Sequence, residues 1–435
     1  MTVIGIDDTD SRERGMCTTY VATRLAENLA AAGVSVERTL LVRLHPAIEH
    51  KTRGNAALAV HCDADPGTAL DAVEGVIDLA ATEDDQTNPG AVVASVAPDG
   101  VPERVVAFAE RAVHERCSPA GARRLCEQAG VERLARGNGR GVVGALAAAG
   151  AWRAFDSWTY ECLSYRERER WGMDRQVDCD SVFRAADAFY PEVFDTVDRI
   201  EGTAVCVPRT PCPVLHGVRG ETAEAVRAVA DRIESEPVAR RRVFVTNQGT
   251  DAHLREGTLS ELADDGCYRV DATVRSAPET REGGHVFLRL GTDTGPGDAG
   301  NSGASNAGAY LGAAAFEPTK RFRDRVRALR PGDRITACGE VSNGTLKLEK
   351  FAVRDLVGTE RVTPTCPDCG RSMSSAGRNA GYRCRDCKTA AEGKVQRALE
   401  RDIEPGWYEV PPCARRHVAK PLVRGGFDAP THPER

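Results

Sequence analysis

Two Cys-x-x-Cys pairs constrain the C-terminal part of this 435-residue chain more tightly than any other pattern in it: Cys366-Pro367-Asp368-Cys369 and Cys384-Arg385-Asp386-Cys387, separated by 14 residues. A segment of that length has too little apolar material for a core of its own. Four thiolates at this spacing build a closed tetrahedral zinc site instead, and the metal then supplies the folding energy. The competing reading is a redox pair. Four sulfur ligands leave no open position, so the zinc is expected to be structural. Arg378, Arg383, Arg385 and Lys388 decorate this ribbon, and positive charge on so small a module suits contact with phosphate. Of the 15 cysteines, most of the others (Cys62, Cys206, Cys267, Cys338) stand singly among apolar neighbours and read as reduced core residues.

A second constraint lies at the other end. Val3-Ile4-Gly5-Ile6 is a short, β-branched run that reads as a buried strand. Residues 18–32 read as a helix, with Val21, Leu25 and Leu29 on one face and Gly33 as its stop. Between them lie Asp7-Asp8-Thr9-Asp10-Ser11 and Gly15-Met16-Cys17-Thr18-Thr19. The loop leaves the carboxyl end of a strand and feeds a helix N-terminus, where open α/β sheets bind ligands and free N–H groups meet anions. Asp7, Asp8 and Asp10 are hard oxygen donors suited to magnesium, and the helix start at Thr18 can hold a phosphate. The competing reading is a turn with an N-cap, because Asp, Thr and Ser favour both. A cap needs one such residue and this loop offers several, so phosphoryl or nucleotidyl chemistry is the expectation.

The length allows about three domains. Residues 1–150 look α/β, with strand-like runs at 39–44 and 57–62, a helix at 102–115 and an apolar helix at 145–149. Residues 151–260 carry strands near 203–207 and 242–246 around an amphipathic helix at 221–234, which suggests a small α+β domain. Residues 266–357 change character: strands at 270–274, 285–290, 310–315, 334–341 and 345–350, with a helix at 318–329, fit an OB-fold β-barrel. The Gly-, Asp- and Ser-rich stretch 291–309 reads as a flexible insertion in a hairpin loop. The ribbon spans 361–390, and 391–435 is a basic tail. Net charge is −6, yet residues 361–435 carry 14 Lys/Arg against 9 Asp/Glu. Basic charge is thus concentrated at one end, an electrostatic footprint of the kind RNA attracts. No apolar run approaches a membrane span and no charged-then-apolar leader precedes the first strand, so a cytoplasmic protein is expected.

Gly139-Arg140-Gly141-Val142-Val143-Gly144 matches the dinucleotide fingerprint, but residues 131–136 read as helical, so the required preceding strand is missing. Gly139, Arg140 and Gly141 then form either a phosphate-holding loop at a helix start or a packing turn. Lys51 and Arg53 stand in a Gly- and Asn-containing loop and can neutralise phosphate charge, or be merely solvated. The polar run Thr246–Leu254 offers Asn247, Gln248 and Asp251 to a base, ribose or cation, or to Asx-turns.

Taken together, Gly5–Ser11 with Gly15–Tyr20, Lys51–Ala56, Gly139–Ala145, Pro211–Gly220, Thr246–Leu254, Glu317–Lys320 with Phe322-Arg323, and the closing ribbon resemble the archaeal tRNA(Ile) agmatidine synthetases. The resemblance runs in order through nearly the whole chain. It implies a kinase-like α/β domain, a ferredoxin-like domain, an OB-fold and a zinc ribbon. It also implies a ligase that joins agmatine to the wobble cytidine of a tRNA(Ile) with a CAU anticodon, with ATP cleaved to AMP. In such enzymes the cytosine oxygen is phosphorylated and the agmatine amine displaces the phosphate; a threonine matching Thr18 is autophosphorylated. The implied catalytic set is Asp7, Asp8, Asp10 and Thr18, with Lys51, Arg53, Arg140, Gly139 and Gly141 on ATP, Mg2+ beside them, and Zn2+ on Cys366, Cys369, Cys384 and Cys387. Asp198, Glu201, Asp251 and carbonyls of 211–220 are candidates for agmatine. Cys413 and His417 are left as bystanders or RNA contacts. No protein partner and no membrane is implied. The alternative is a non-catalytic RNA-binding protein built from barrel and ribbon, which leaves the first 260 residues without a task.

Overall fold

The computed structural model describes residues 1–11, 15–49, 54–80, 82, 84–292 and 309–435. A nine-stranded sheet runs through the first part of the chain. Its strands are β1 (Thr2–Asp7), β2 (Val36–Arg43), β3 (Ala56–Cys62), β4 (Gly90–Ala94), β5 (Glu132–Ala135), β6 (Thr159–Arg166) and β7 (Val193–Phe194). After the small hairpin β8 (Val197–Asp198) and β9 (Thr203–Ala204) come β10 (Val214–Gly220) and β11 (Val238–Thr246). The spatial order is β5-β4-β1-β3-β2-β11-β6-β10-β7. Neighbours are antiparallel except at one seam, where β11 runs parallel to β2 with Val245 opposite Leu40 and Thr246 opposite Leu41. Strands on either side of residue 150 therefore share one continuous sheet, and Thr39 Oγ1 donates across the seam to the Val243 carbonyl at 2.8 Å.

Helices α1 (Thr18–Ala31) and α2 (Pro66–Ile77) cover one face of β1–β4. Helices α3 (Glu103–His114), α4 (Pro119–Ala129) and α5 (Val142–Ala154) cover the other. Along β1, Ile4 and Ile6 join the α1/α2 core while Val3 joins the α5 core, which is why the run is apolar without alternation. Helices α6 (Cys179–Ala188) and α7 (Ala223–Arg232) pack on β6 and β10. Residues 131–136, read from sequence as helical, instead contain β5. It is an edge strand with Glu132 and Arg133 exposed, so the apolar signal of a strand is absent from it.

Residues 267–355 close into a five-stranded barrel. Cys267–Val274 pairs with Val286–Gly291 and Arg334–Ser342, and Tyr310–Ala315 pairs with Val286–Gly291 and runs parallel to Thr345–Asp355, which returns to Arg334–Ser342. Helix α8 (Phe322–Arg327) adds Phe322 and Val326 to the barrel core. All five strands lie where the sequence placed them, the first and last longer than expected, at Cys267–Val274 and Thr345–Asp355. Most of the 291–309 insertion lies outside the described residues.

Thr359–Val362 pairs with Val395–Ala398 as a stalk below the ribbon, whose own core is Cys366, Met373 and Cys384. The segment expected as a basic tail returns to the barrel: Gly406–Glu409 adds a strand beside Thr345–Asp355, and Trp407 is buried. Its basic residues are largely used internally, Arg401 on Asp333, Arg415 on Asp195 and Glu409, Arg416 on Glu340 and Glu349, and Arg424 on Glu221. Among the described residues no helix is long and apolar enough to cross a membrane.

Candidate active site

Strand β1 lies between β3 and β4, and its last residue, Asp7, emerges at the carboxyl end. Asp8 follows in the left-handed region, φ 58°, which Asp tolerates better than most residues. That turn aims the Asp8 carboxylate at Arg140, which grips it with two N–H groups: Nε to Oδ2 at 2.8 Å and Nη2 to Oδ1 at 3.1 Å. Arg140 also donates to the Gln86 carbonyl at 2.7 Å. Burial pushes the Asp8 carboxyl up to about 6, against the lowering effect of Arg140. Asp7 is pushed well above its ordinary value by burial and then by the charge of Asp8. Asp8 and Asp10 raise Asp7, and Asp10 raises Asp8; a divalent cation would relieve this crowding of negative charge, and carboxylate oxygens are the donors magnesium takes.

Asp10 turns the other way. Its Oδ1 accepts the Thr18 hydroxyl at 2.9 Å and the Thr18 backbone N–H. The cap and the functional loop are thus one object: Asp10 satisfies the first N–H of α1 and also orients the hydroxyl of Thr18, which is 3% exposed. Thr87 Oγ1 fixes the loop by donating to the Asp10 carbonyl at 2.6 Å.

Two cavities meet at Asp10 and Thr18. The first, about 380 Å³, has Asp7, Asp8, Asp10 and Arg140 at one end. The rest of its lining mixes apolar side chains, among them Leu44, Ile48, Ala112, Pro119 and Val143, with the charged Glu49, Glu115 and Arg116. The second, about 310 Å³, extends across the β2/β11 seam and is lined by Arg43, Glu161, Leu163, Cys212 and Arg219. Glu161, on β6, is 3% exposed, and its Oε2 has no hydrogen-bond partner. Arg219 Nε lies 3.3 Å from Oε1 and Arg43 Nη2 3.8 Å from Oε2. Arg43 is held in turn by Gln248 Oε1 at 2.7 Å and Asn247 Oδ1 at 2.7 Å.

The structure brings Asp7, Asp8, Asp10, Thr18 and Arg140 together. Lys51 and Arg53 lie outside the described residues. Gly139 and Gly141 do not line the cavity, and their N–H groups go to the Arg136 and Asn88 carbonyls. They shape the turn that carries Arg140. Gly144 allows α5 to approach: a Cβ there would lie 1.9 Å from Asp7 Oδ2. Asp198 is tied to Arg321 at 3.1 Å, and Asp251 to Lys350 at 2.8 Å, so both serve joints between the sheet and the barrel. Glu201 faces Lys320 and Arg321 and lines neither cavity. Sequence reasoning missed Glu161, Arg43 and Arg219. The available signal was a lone Glu inside the otherwise buried run Thr159–Arg166.

In the ribbon, ligand atoms of Cys366, Cys369, Cys384 and Cys387 lie within 4.8 Å of one another. Cys369 and Cys384 Sγ are 3.6 Å apart, the spacing of tetrahedral thiolates at about 2.3 Å from zinc. Cys413 and His417 are elsewhere: Cys413 N–H donates to Asp198, and His417 stacks edge-on to His253 at 5.0 Å.

Fold and site thus define a multidomain protein with an acidic cleft, a closed barrel and a four-thiolate ribbon. Known proteins share this whole arrangement. Residues 3–72 match the TiaS TCKD domain family, 139–253 the TiaS FLD domain family, and 363–403 the TiaS C-terminal zinc ribbon domain family. The chain is 52% identical over 462 residues to the isoleucine-tRNA 2-agmatinylcytidine synthetase TiaS of Haloquadratum walsbyi, covering all of both chains. Among solved structures it resembles the complex of TiaS with its isoleucine tRNA and ATP, with TM-score 0.86 and 38% identity over 100% of this chain and 99% of that one. The complex of TiaS with the same tRNA, AMPCPP and agmatine follows at TM-score 0.85 and 36% identity, with 100% and 99% covered. The chain belongs to the TiaS family of isoleucine-tRNA 2-agmatinylcytidine synthetases.

Proposed function

We propose that this chain is a cytoplasmic ATP-dependent ligase that joins agmatine to C2 of the wobble cytidine of a tRNA(Ile) with a CAU anticodon. The observation that carries the proposal is the position of Thr18, on the wall shared by two cavities with its hydroxyl on Asp10. The first cavity takes ATP, adenine against apolar side chains such as Leu44 and Ile48 and phosphates toward Asp7, Asp8 and Arg140. Magnesium held by Asp7, Asp8 and Asp10 would neutralise phosphate charge there. The second cavity takes the acceptors. Glu161 Oε2, which accepts no hydrogen bond and faces Arg43 only at 3.8 Å, suits the cationic end of agmatine, and Arg43 and Arg219 suit a phosphate or a carbonyl edge.

The cytosine O2 is a poor leaving group until a phosphoryl group is moved onto it. The agmatine amine then attacks C2, the C2–O2 bond breaks, and phosphate leaves with the oxygen. Asp10 is placed to accept the Thr18 proton if Thr18 itself takes a phosphoryl group. The finer domain assignment follows the same proposal: a kinase-like unit within 1–150, a ferredoxin-like unit within 151–260 and an OB-fold at 266–357, the barrel and ribbon (361–390) gripping the tRNA.

The test is nucleoside mass spectrometry after incubation with magnesium, ATP, agmatine and the CAU-anticodon transcript. Agmatidine is the expected product, and its absence sinks the proposal. Glu161→Gln is expected to raise the agmatine KM about tenfold or more, for loss of one charge-assisted contact, with ATP KM unchanged.

A further inference from the structure

The second cavity has one wall that no helix or strand supplies. Residues 208–213 lie between the β8/β9 hairpin and β10, outside every regular element, and Pro208, Cys212 and Val214 line the cavity together with Glu161. Pro208, Pro211 and Pro213 have no backbone N–H to give. The shape of this segment must therefore be fixed largely through its carbonyls. Arg175 does that. Its Nε donates to the Val214 carbonyl at 2.9 Å, its Nη1 to that of Pro208 at 2.7 Å, and its Nη2 to those of Thr210 at 3.0 Å and Cys212 at 3.4 Å. Nη2 also lies 3.1 Å from Cys212 Sγ. Among the described residues no carboxylate forms an ion pair with Arg175. Glu236, which attracts it from further off, is gripped by Arg166, Nε at 2.6 Å and Nη2 at 3.0 Å.

The mount of Arg175 is itself rigid. Arg166, on β6, is buried, and it donates to the Met173 carbonyl at 2.7 Å and the Asp174 carbonyl at 2.9 Å. The Gln176 N–H goes to Glu236 at 2.9 Å. The backbone on both sides of Arg175 is thus tied to one buried ion pair, and the guanidinium carries that order across to the cavity wall. The Cys212 and Val214 carbonyls are used in doing so and are not left for the guanidinium of agmatine. We propose that Arg175 is a positioning residue for the acceptor: by caging 208–214 it sets the shape of the second cavity and with it the affinity for agmatine. Arg175 lines neither cavity, so it acts through the wall and not on the ligand. A planar fork reaches acceptors spread along the segment, which the point charge of an ammonium cannot. The proposal rests on the reading of the second cavity as the agmatine site.

The test combines steady-state kinetics with limited trypsinolysis of full-length wild type, Arg175→Ala and Arg175→Lys. Both variants should raise the agmatine KM about tenfold or more, the scale on which a displacement of about 1 Å acts, with ATP KM and kcat at saturating agmatine little changed. Arg209 and Thr210 are exposed, and the carbonyls of Pro208 and Thr210, on either side of Arg209, are two of those that Arg175 holds. Trypsin should therefore cut after Arg209 faster in both variants than in wild type, read by mass spectrometry of the fragments. An unchanged agmatine KM overturns the proposal, and so does an equal rise in ATP KM, which a general loss of fold would give. Wild-type kinetics in Arg175→Lys overturn it too, because charge alone would then suffice. A fall in the agmatine KM overturns it by another route: the cage would then be a guanidinium receptor that Arg175 fills. If wild type forms no agmatidine, the reading of the reaction fails, whereas faster cutting after Arg209 in the variants still shows Arg175 holding the wall.

Discussion

Two helical glycines separate backbone propensity from active-site space. Gly75 lies in α2, and a Cβ added there would meet no heavy atom within 4 Å. Gly144 lies in the first turn of α5, and its Cβ would stand 1.9 Å from Asp7 Oδ2 and 2.6 Å from Asp7 Cγ. Alanine in place of a helical glycine stabilises by about 0.5–1 kcal/mol. Nothing opposes that gain in Gly75→Ala, so the midpoint of the transition that unfolds the sheet should rise by about 2–4 °C. In Gly144→Ala the same gain meets a collision of more than 1 Å, since real Cβ contacts stay beyond 3.0 Å. Helix α5 cannot lift away cheaply, because a Cβ on Gly5 would already be 2.0 Å from the Ala145 carbonyl oxygen. Asp7 must therefore rotate out. Displacing a packed group costs about 1–3 kcal/mol, which leaves Gly144→Ala neutral to about 2 kcal/mol less stable. Turnover separates the pair further: misplacing a reacting-site group by about 1 Å costs on the order of 100-fold. Thermal unfolding and single-turnover tRNA modification, run on both variants, check this. Wild-type turnover in Gly144→Ala would refute the placement of Asp7 at the reacting phosphate.

Chelating zinc, or Cys384→Ser, should unfold the ribbon alone. Its core is three side chains, and its stalk is one two-stranded pairing, so limited proteolysis should cut within 363–398 while the main unfolding transition stays in place; a concerted loss of the whole fold would contradict this. Arg140→Ala removes the fork on Asp8 and should lower turnover by about 10²–10³ with tRNA affinity unchanged; parallel losses in both measurements would make Arg140 an RNA contact instead. Burial holds His253 at about 3 against an ordinary 6.5, with its Nε2 against the Leu44 carbonyl at 3.2 Å. Its stabilisation is therefore complete above pH 6.5 and is lost as pH falls toward 3. At pH 5 the unfolded chain gains about 2 kcal/mol from this residue. Urea titrations at pH 7.5 and 5 should show a loss to which buried His61 and His216 add in the same direction, and His253→Gln should reduce it by about 2 kcal/mol.

The strand–acidic loop–helix start was legible because each part carries a local signal: an apolar run, a cluster of oxygen ligands, a 3.6-residue stripe. The five barrel strands were legible for the same reason, as was the ribbon from cysteine spacing. Glu161 was not. Its neighbours Tyr160 and Cys162 give no hint of a cavity, which exists only because β11 inserts between β6 and β2. The fingerprint at Gly139–Gly144 misled through its missing strand: β5 is there, but an edge position lets it be polar. Charge counting also overstated the C-terminal end, since an arginine in sequence does not show its partner. Asp198 and Asp251 looked available for a cationic ligand and are instead bound to Arg321 and Lys350.

The parallel seam between β2 and β11 has a mechanical consequence. Phosphate-side groups arise from β1, α1 and the Arg140 turn, whereas Glu161 and Arg219 arise from β6 and β10 on the other side of that seam. Two domains joined by a surface contact can shift against each other. Two halves of one sheet cannot do so without breaking backbone hydrogen bonds, so the two cavities keep a fixed separation across Thr18. Positioning is then built into the fold rather than acquired on closure, which is where much of the rate of a phosphoryl transfer comes from. The barrel shares this rigidity through Arg415, Arg424 and Lys350, each anchored on an acidic residue of the first 260. Among the described residues only the ribbon stands on a single two-stranded stalk. In the proposed function it is the element that adjusts to the tRNA while the sheet and barrel keep the wobble base in register.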